Sequence, residues 1–358
     1  MRQRYRKARA GEAAEQAAKS PGDAQPQSWP SEVSVFAYTE ETFEERRGVS
    51  VEDVAAYCDR PGVVWIDVDG LATPGVVERI CGLYRIHPLI VEDTLTVTQR
   101  PKLEVFDEYA SLVFKMVYLA DDGSRTVTEH VSLILGRGWV LSFQQGPIRD
   151  VFEPVRDAIR TRKGRVRRSG ADHLAYFLVD AVVDNYLKVL DKMNEQIEDF
   201  EDEMLSSPTP ATLHAVHALR NEIIFLRKSA WPLRDILDRL PRDADELFAP
   251  TTFPYLKDVS DHTSQALDQI DVMRDIVTGL LEMYLSSMSY NLNSVLKRLT
   301  LITTIFMPLS VLAGIGGMSE WTMMTGSENW RWSYPLFMTG LTAAGVGSYL
   351  WLKKKKWV

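Results

Sequence analysis

Cysteine is scarce in this chain of 358 residues, which contains only Cys58 and Cys81. Two cysteines cannot build a disulfide-rich scaffold or a zinc site made of several cysteines, so a reducing compartment is indicated. The net charge of −8 argues against a general nucleic-acid binder. One segment, residues 160–168, is strongly basic. It has no aromatic side chains between its charges, and we therefore expect no nucleic-acid partner.

Sequence signatures of enzymes are also missing. The chain has no P-loop and no Walker-type lysine, so ATP hydrolysis is not expected. His87 and His262 stand alone in the sequence, with no nucleophile or second metal ligand at a useful spacing. We therefore predict that the protein is not an enzyme and that both histidines are local structural residues.

We expect no secretory signal, because no apolar stretch follows the basic residues at the start of the sequence. Residues 1–31, rich in Ala, Gln, Pro and Arg, are predicted to be a disordered basic tail. Two uncharged apolar segments occur near the C-terminus, at residues 299–318 and 334–352. Each has the length of about 20 residues that a helix needs to cross a bilayer. We predict two transmembrane helices.

The charges that flank these segments predict their orientation. Lys297 and Arg298 precede the first segment, and a basic tail at residues 353–358 follows the second. The connecting loop, residues 319–333, carries a single arginine. Positive residues stay inside, so both termini are expected in the cytoplasm and the loop outside a multi-pass protein of the cell membrane. Four lysines are expected to anchor the second helix at lipid headgroups. They are Lys353, Lys354, Lys355 and Lys356.

The soluble part begins with a mixed α/β domain, predicted at residues 32–170. Short apolar runs alternate there with amphipathic segments. Five runs are predicted as strands: Val33–Tyr38, Val63–Val68, Ser111–Leu119, His130–Leu135 and Trp139–Phe143. Three segments are predicted as helices: Val51–Cys58, Pro74–Tyr84 and Pro147–Thr161.

Strand patterns end at residue 170, and long helices follow. Residues 171–254 are predicted as two antiparallel helices, Ala171–Leu205 and Ala211–Leu240, with a loop after the second. A stalk helix, residues 255–298, is expected to continue into the first membrane segment as far as Ile315. Such a helix has about 60 residues and a length of about 90 Å. We expect it to pack against copies of itself or against the two preceding helices.

Two patterns distinguish the long helix. Four acidic residues recur every seven positions and share one face: Asp261, Asp268, Asp275 and Glu282. A second face, here called the semi-polar face, continues into the membrane segment. It consists of Asn293, Leu296, Leu299, Thr303, Met307, Ser310 and Gly314. Polar groups in a membrane normally face protein or water. This face is therefore either a helix–helix contact through small residues or the lining of a pore.

Four segments of the chain resemble the CorA family of divalent-cation channels. They are IHPLIVEDTLTVTQRPK (residues 86–102), WPLRDIL (231–237), TTIFMPLSVLAGIGGM (303–318) and the terminal KKKKW (353–357). The resemblance extends from about residue 32 to the end. It implies a homopentameric funnel with a cytoplasmic α/β domain, a helical stalk and a pore lined by the first membrane helix. It also implies transport of Mg²⁺, with Co²⁺ and Ni²⁺ as secondary ions.

The resemblance further implies roles for individual residues. Asp93 resembles the acidic residue of a regulatory metal site between subunits, with Asp258 of the neighbouring chain as its partner and Glu92 as an accessory ligand. Mg²⁺ bound between these carboxylates would cancel their repulsion and close the channel, which is a negative feedback. In the pore, Asn293 resembles a polar ring. The hydrophobic constrictions fall on Leu296, Leu299 and Met307.

The selectivity site at the outer end of the pore departs from the family. Its signature Gly-Met-Asn falls on Gly317, Met318 and Ser319. Mg²⁺ dehydrates reluctantly, so a ring of amide carbonyls can hold the hydrated ion by accepting hydrogen bonds from its waters. A serine hydroxyl is shorter and less polar than an amide. This leaves open a different preference, for Zn²⁺, Co²⁺ or Ni²⁺, as in the related ZntB transporters. A membrane-anchored sensor of divalent cations without transport is a further alternative, against which the semi-polar face argues.

Overall fold

The structure, a computed structural model, describes residues 29–120, 126–146, 151–206, 208–316, 326 and 329–354. The chain divides into two units, residues 1–281 and 282–358. Residues 29–31 belong to the segment that we predicted as a disordered tail, yet they contact the first unit. The backbone N–H of Ser31 donates to Thr73 Oγ1 at 2.8 Å, and that of Ala72 donates to the carbonyl of Trp29 at 3.0 Å.

The first unit contains one seven-stranded sheet in the order β2-β1-β3-β7-β6-β5-β4. The strands are β1 (Glu32–Tyr38), β2 (Phe43–Arg46), β3 (Val63–Asp69), β4 (Lys102–Val105), β5 (Tyr109–Leu119), β6 (Thr126–Gly136) and β7 (Trp139–Gln144). Neighbours are antiparallel except for the parallel pair β3 and β7. The five predicted strands are confirmed. The edge strands β2 and β4 were missed, because each has four mostly half-exposed residues without an apolar run.

The helices are α1 (Val51–Val54), α2 (Val76–Leu83), α3 (Pro88–Leu95), α4 (Glu153–Thr161), α5 (Ala171–Ser206), α6 (Pro210–Asp243), α7 (Phe253–Gly316) and α8 (Trp330–Lys354). The predicted helices are confirmed with shifted ends, although residues 147–150 of the helix predicted over 147–161 lie outside the described residues. The predicted helix over residues 51–58 is a short α-helix followed by a 3₁₀ turn. Sequence reasoning missed α3. His87 caps this helix by accepting a hydrogen bond from the backbone N–H of Leu89 at 3.2 Å, and Pro88 follows at its start.

Helices cover both faces of the sheet. On one face, alternate residues of β1 and β3, such as Val35 and Ile66, form a buried cluster with Ile80 of α2 and Ile90 of α3. On the other face, the Trp65 ring stacks on the Phe36 ring with 4.8 Å between the ring centroids, and α5 packs over β5 and β6. The alternation of strand residues thus buries both faces, as expected for a sheet between two layers of helices.

A charged network lies inside the second of these layers. Asp67 is completely buried, forms an ion pair with Arg156 of α4, and accepts a hydrogen bond from Ser142 Oγ at 2.5 Å. The Arg156 guanidinium also lies over the Trp65 ring, 5.5 Å from its centroid. A buried charge is tolerated when it is paired and hydrogen-bonded, so this network fixes α4 to β3 and β7.

The long helices of the first unit pack on one another. Thr209 and Thr212 form a capping box at the start of α6, and Thr212 Oγ1 donates to Glu203 Oε1 of α5 at 2.5 Å. The first part of α7 packs against α6, with an ion pair of 2.9 Å from Arg227 to Asp271. Its buried residues recur at steps of three and four: Leu256, Val259, Thr263, Ala266, Ile270, Met273 and Val277. The stalk is therefore supported by a preceding helix, one of the two expected arrangements.

The second unit contains the rest of α7 and α8, and most of its apolar side chains are exposed. Within the described residues, one helix, Phe253–Ile315, is long and apolar enough to cross a membrane, and none of its apolar window is buried. This matches the first predicted membrane segment. Residues 334–352, the second predicted segment, lie within α8, but its role as a span remains a prediction.

Glu129 of β6 generates a prediction about stability. Its Oε1 accepts a hydrogen bond from the Gly146 N–H at 2.8 Å, and no partner among the described residues reaches its buried Oε2. Burial is the main cause that raises the pKa of Glu129 to about 8, and the charges of Asp69 and Asp67 contribute to this rise. A raised carboxyl pKa means that the folded state keeps a proton which the unfolded chain releases above about pH 4.3. The contribution of this bound proton to folding stability is therefore complete below that pH. It is lost progressively as the pH rises through about 8.

We expect Glu129→Gln to remove this pH-dependent loss of stability. The parent should lose on the order of a few kcal/mol of unfolding free energy between pH 5 and pH 9 from this group, and the variant should not. Thermal unfolding of the purified full chain across this range checks it. Glu52→Gln is the matched control, because the Glu52 side chain is 72% exposed in its pair with Arg79. Parallel pH curves for the parent and Glu129→Gln would contradict the prediction.

Candidate ion pathway and metal site

The semi-polar face of α7 is uncovered within the second unit. All seven of its residues are exposed. By contrast, Leu301, Ile305 and Leu309 are partly shielded, and they form a stripe at steps of four. A Cβ atom placed on Gly345 of α8 would lie 3.2 Å from Leu309 Cδ1, so α8 packs on this stripe. The shielded residues of α8 recur at the same step: Ser333, Phe337, Leu341 and Gly345.

The two faces of α7 point in opposite directions. At about 100° per residue, the centre of the semi-polar face lies about 180° from Ile305, the centre of the shielded stripe. The residues that carry hydroxyl or amide groups, Asn293, Thr303 and Ser310, are thus on the side away from α8. The helix therefore presents its apolar stripe to α8, and its mixed polar and small residues face away from α8.

Some predicted site residues lie outside the described residues. Gly317, Met318 and Ser319 of the predicted selectivity site are among them, as are Lys355 and Lys356 of the predicted anchor. Lys353 and Lys354 form the last turn of α8 and are exposed. Cations in this position interact favourably with the free carbonyls of a helix end.

The predicted regulatory residues Glu92 and Asp93 lie on α3. Glu92 is exposed, whereas the Asp93 side chain is only 13% exposed. Both oxygens of Asp93 have partners in the chain: Gln99 Nε2 donates to Oδ1, and Lys102 Nζ of β4 lies 2.6 Å from Oδ2. Lys102 also lies 3.3 Å from Glu104 Oε1. Desolvation lowers the pKa of Lys102, but the hydrogen bonds to Asp93 and Glu104 outweigh it, so the pKa is raised.

A polar network behind α3 holds the segment that carries Asp93. Thr94 Oγ1 lies 2.9 Å from Ser132 Oγ, and His130 Nε2 lies 3.1 Å from the Thr94 carbonyl. Lys115 Nζ donates to the Val97 carbonyl at 2.5 Å and lies 3.5 Å from His130 Nδ1. Burial lowers the pKa of Lys115 to about 8. Burial and the Lys115 charge lower the pKa of His130 to about 4, so this histidine is neutral.

A group of potential metal ligands lies on the facing sides of α5 and α7. It consists of Asp180, Asp184 and His262, whose ligand atoms lie within 4.8 Å of one another. His262 was predicted to be isolated, and that prediction is wrong. Its partners come from another helix about 80 residues earlier, so no local spacing could indicate them. Among the described residues, the buried His262 Nδ1 has no hydrogen-bond partner.

The electrostatics of this group involve the predicted regulatory residue Asp258. Burial, together with the negative charges of Asp184 and Asp258, raises the pKa of Asp180 to about 6. Tyr176 contributes a hydrogen bond to Asp180 Oδ2 at 3.5 Å. Asp258 itself is exposed near the start of α7. Clustered carboxylates repel when they have no counterion, and oxygen and imidazole ligands suit divalent cations, so the residues present fit a metal ion.

The charge of Asp258 thus contributes to the raised pKa of Asp180, whereas the group of ligands within one chain contains neither Asp258 nor Asp93 and Glu92. Sequence reasoning missed Asp180 and Asp184 in the group around His262. It also missed Lys115 and His130, which hold the segment that carries Asp93. A basic residue within an apolar strand, such as the half-buried Lys115 of β5, was the one local signal available.

Comparison with known proteins places this arrangement in a family. The model of the CorA-like Mg²⁺ transporter protein family matches residues 61–354. A cobalt/magnesium transport protein CorA from Thermotoga maritima is 42% identical over 327 residues, which cover 91% of this chain and 92% of that protein. A transporter family of this kind is consistent with the predicted absence of enzymatic activity.

The fold is also shared with solved structures. The complete CorA magnesium transporter of Methanocaldococcus jannaschii superposes with a TM-score of 0.76 at 19% identity, covering 91% of this chain and 98% of that one. The cytoplasmic domain of ZntB from Vibrio parahaemolyticus gives 0.58 at 12% identity, covering 73% of this chain and all of that one. At these identities the structures show a common fold. Together with the family match and the 42% identical relative, they lead to one conclusion: this chain belongs to the CorA-like Mg²⁺ transporter family.

Proposed function

We propose that this protein is a homopentameric channel that lets Mg²⁺, and also Co²⁺ or Ni²⁺, pass down their gradient into the cell. α7 lines the pore and α8 forms the second membrane helix on its outside, with both termini in the cytoplasm. The family and the name of the Thermotoga maritima relative, a cobalt/magnesium transport protein, support the choice of ions.

One observation supports the assignment of the semi-polar face as the pore lining. The semi-polar face lies opposite the stripe that α8 covers, and all its residues are exposed in the single chain. Hydroxyl and amide groups facing lipid are unfavourable, and a pore on a five-fold axis would give this face an aqueous environment. Rings of Leu299 and Met307 would then form hydrophobic constrictions that gate by dewetting.

Regulation is proposed at the acidic sites of the cytoplasmic unit. Mg²⁺ bound to Asp93, with Glu92, of one subunit and Asp258 of the next would hold the subunits together and keep the channel closed. The cluster of Asp180, Asp184 and His262 adds ligands beside Asp258, and its imidazole is suited to Co²⁺ and Ni²⁺. A fall in internal Mg²⁺ would leave the carboxylates to repel one another and would release the stalk.

Uptake into proteoliposomes tests the function itself. We expect the full chain to admit Mg²⁺, with Co²⁺ and Ni²⁺ as competing substrates and little uptake of Zn²⁺. A Ser319→Asn variant is measured in parallel. Uptake only after this substitution would mean that the serine disables the selectivity site. If folded, oligomeric protein takes up no divalent ion in either form, the channel is refuted in favour of a sensor. Preferred uptake of Zn²⁺ would establish the alternative ion preference.

A pair of adjacent substitutions tests the pore face. Gly314 belongs to the semi-polar face, and Ala313 lies about 100° away from it around α7. We expect Gly314→Leu to reduce Mg²⁺ uptake on the order of tenfold or more, because five added side chains would narrow the pore. Ala313→Leu adds the same side chain away from the axis and should reduce uptake much less. Equal losses in the two variants, at equal oligomer content, would argue against the assignment of this face.

The regulatory site is tested by inhibition of uptake from the cytoplasmic side. Asp258→Asn should raise the internal Mg²⁺ concentration for half-inhibition on the order of tenfold, a change of about 1.4 kcal/mol. His262→Ala should weaken inhibition by Co²⁺ more than inhibition by Mg²⁺, because imidazole is a better ligand for Co²⁺. Asp235→Asn is the control, since Asp235 is 58% exposed on α6 in its pair with Arg239. Unchanged inhibition in the Asp258 variant would contradict the proposal.

A further inference from the structure

The carboxylate of Asp93 is already neutralised inside its own chain. Lys102 Nζ lies 2.6 Å from Oδ2, and Gln99 Nε2 donates to Oδ1. The Asp93 side chain is 13% exposed, so little of it remains open to solvent. A divalent cation that binds this carboxylate directly must therefore take the place of the ammonium, because two cations at contact distance from one oxygen repel each other.

Lys102 has a second carboxylate within reach. Its Nζ lies 3.3 Å from Glu104 Oε1, and the Glu104 side chain is 39% exposed. Lys102 and Glu104 are two residues apart on β4 and so point to the same side of the sheet. Pairing of Lys102 with Val113 and of Glu104 with Ser111 fixes both residues along the edge of the sheet. The ammonium thus lies between one carboxylate on α3 and another on its own strand.

The mobility of lysine makes this arrangement more than a static ion pair. Its ammonium is a compact charge on a flexible stem of four carbons, and it can change partner by rotation without movement of the strand. If Lys102 leaves Asp93, Glu104 still neutralises it. The displacement consequently leaves no unpaired charge in a half-buried position, and its energetic cost is small.

We propose that Lys102 is a tethered competitor of the regulatory ion: it occupies Asp93 when the ion is absent, moves to Glu104 when the ion binds, and thereby sets the Mg²⁺ concentration at which the site fills. This inference rests on the proposed role of Asp93 as a metal ligand. It adds Lys102, whose positive charge lowers the affinity of the site for the ion. It also adds Glu104, which limits this effect by accepting the displaced ammonium.

The test measures Mg²⁺ binding directly, by isothermal titration of the purified full chain in detergent. Lys102→Met, which removes the charge and keeps most of the stem, should bind Mg²⁺ more tightly by about threefold to tenfold, the range of a half-exposed ion pair. Lys102→Arg keeps the charge and should not tighten binding. Lys192→Met is the matched control. Lys192 forms a pair of 2.5 Å with Glu195 on α5, and its loss should leave Mg²⁺ binding unchanged.

Glu104 gives a prediction of opposite sign. Glu104→Gln removes the alternative partner, so Lys102 should hold Asp93 more firmly and Mg²⁺ should bind about threefold more weakly. In the double variant Lys102→Met/Glu104→Gln, affinity should equal that of Lys102→Met, because Glu104 acts through Lys102. An affinity of the double variant well below that of Lys102→Met would mean that Glu104 acts on the ion directly, and the exchange of partners would be wrong.

The variant Asp93→Asn separates the role of Asp93 as a metal ligand from the competition by Lys102. If it removes a component of Mg²⁺ binding while Lys102→Met leaves that component unchanged or weaker, Asp93 is a ligand and Lys102 only a structural partner, which overturns the competition alone. If Asp93→Asn leaves Mg²⁺ binding of the parent intact, the regulatory role of Asp93 fails and the competition fails with it. Thermal midpoints in the absence of divalent ions identify any variant that is misfolded, and the Glu104 variant then provides the independent test.

Discussion

Among the described residues, no core surrounds the second half of α7, and this is the constraint on which the rest of the structure depends. Its large apolar side chains, among them Phe306 and Met307, are exposed in the single chain. Exposed to water, each would cost on the order of 1.5–3 kcal/mol relative to burial. A helix satisfies its own backbone hydrogen bonds, so a bilayer can accept these side chains, but it cannot accept the hydroxyl and amide groups opposite α8. The proposed assembly, with further copies of the helix around an aqueous axis, would meet both requirements.

The first unit supplies charged groups on two differently supported elements. Asp93 lies on a short helix at the edge of the sheet, and Lys115 and His130 hold the following segment through backbone carbonyls. Asp258 lies on the first turns of a helix that continues from this unit toward the membrane segment. In the proposed channel, an ion bound near Asp258 would act directly on the element that also carries the semi-polar face. The continuous helix would then connect the proposed metal site with the proposed pore.

Periodicity predicted the strands with apolar runs and the helices other than α3, and it missed β2, β4 and α3. The strands with continuous apolar runs and the helices of more than 30 residues followed from the pattern alone. β2 reads FEER and β4 reads KLEV, and neither pattern differs from that of an exposed loop. α3 was missed because it depends on its His87 cap and on burial of Ile90 and Thr94. Such elements form because the neighbouring sheet stabilises them, which local sequence does not reveal.

The sequence by itself determined the two apolar segments, the periodic faces of the stalk helix and the motifs that indicate the family, since each is a property of neighbouring residues. The tertiary structure alone decided which charges meet. It brought His262 to Asp180 and Asp184 from a helix about 80 residues away, and it brought Lys102 to Asp93 by pairing an edge strand with β5. Charges attract over a few ångströms at any separation along the chain, so the fold and not the spacing determines which carboxylates can bind a metal ion.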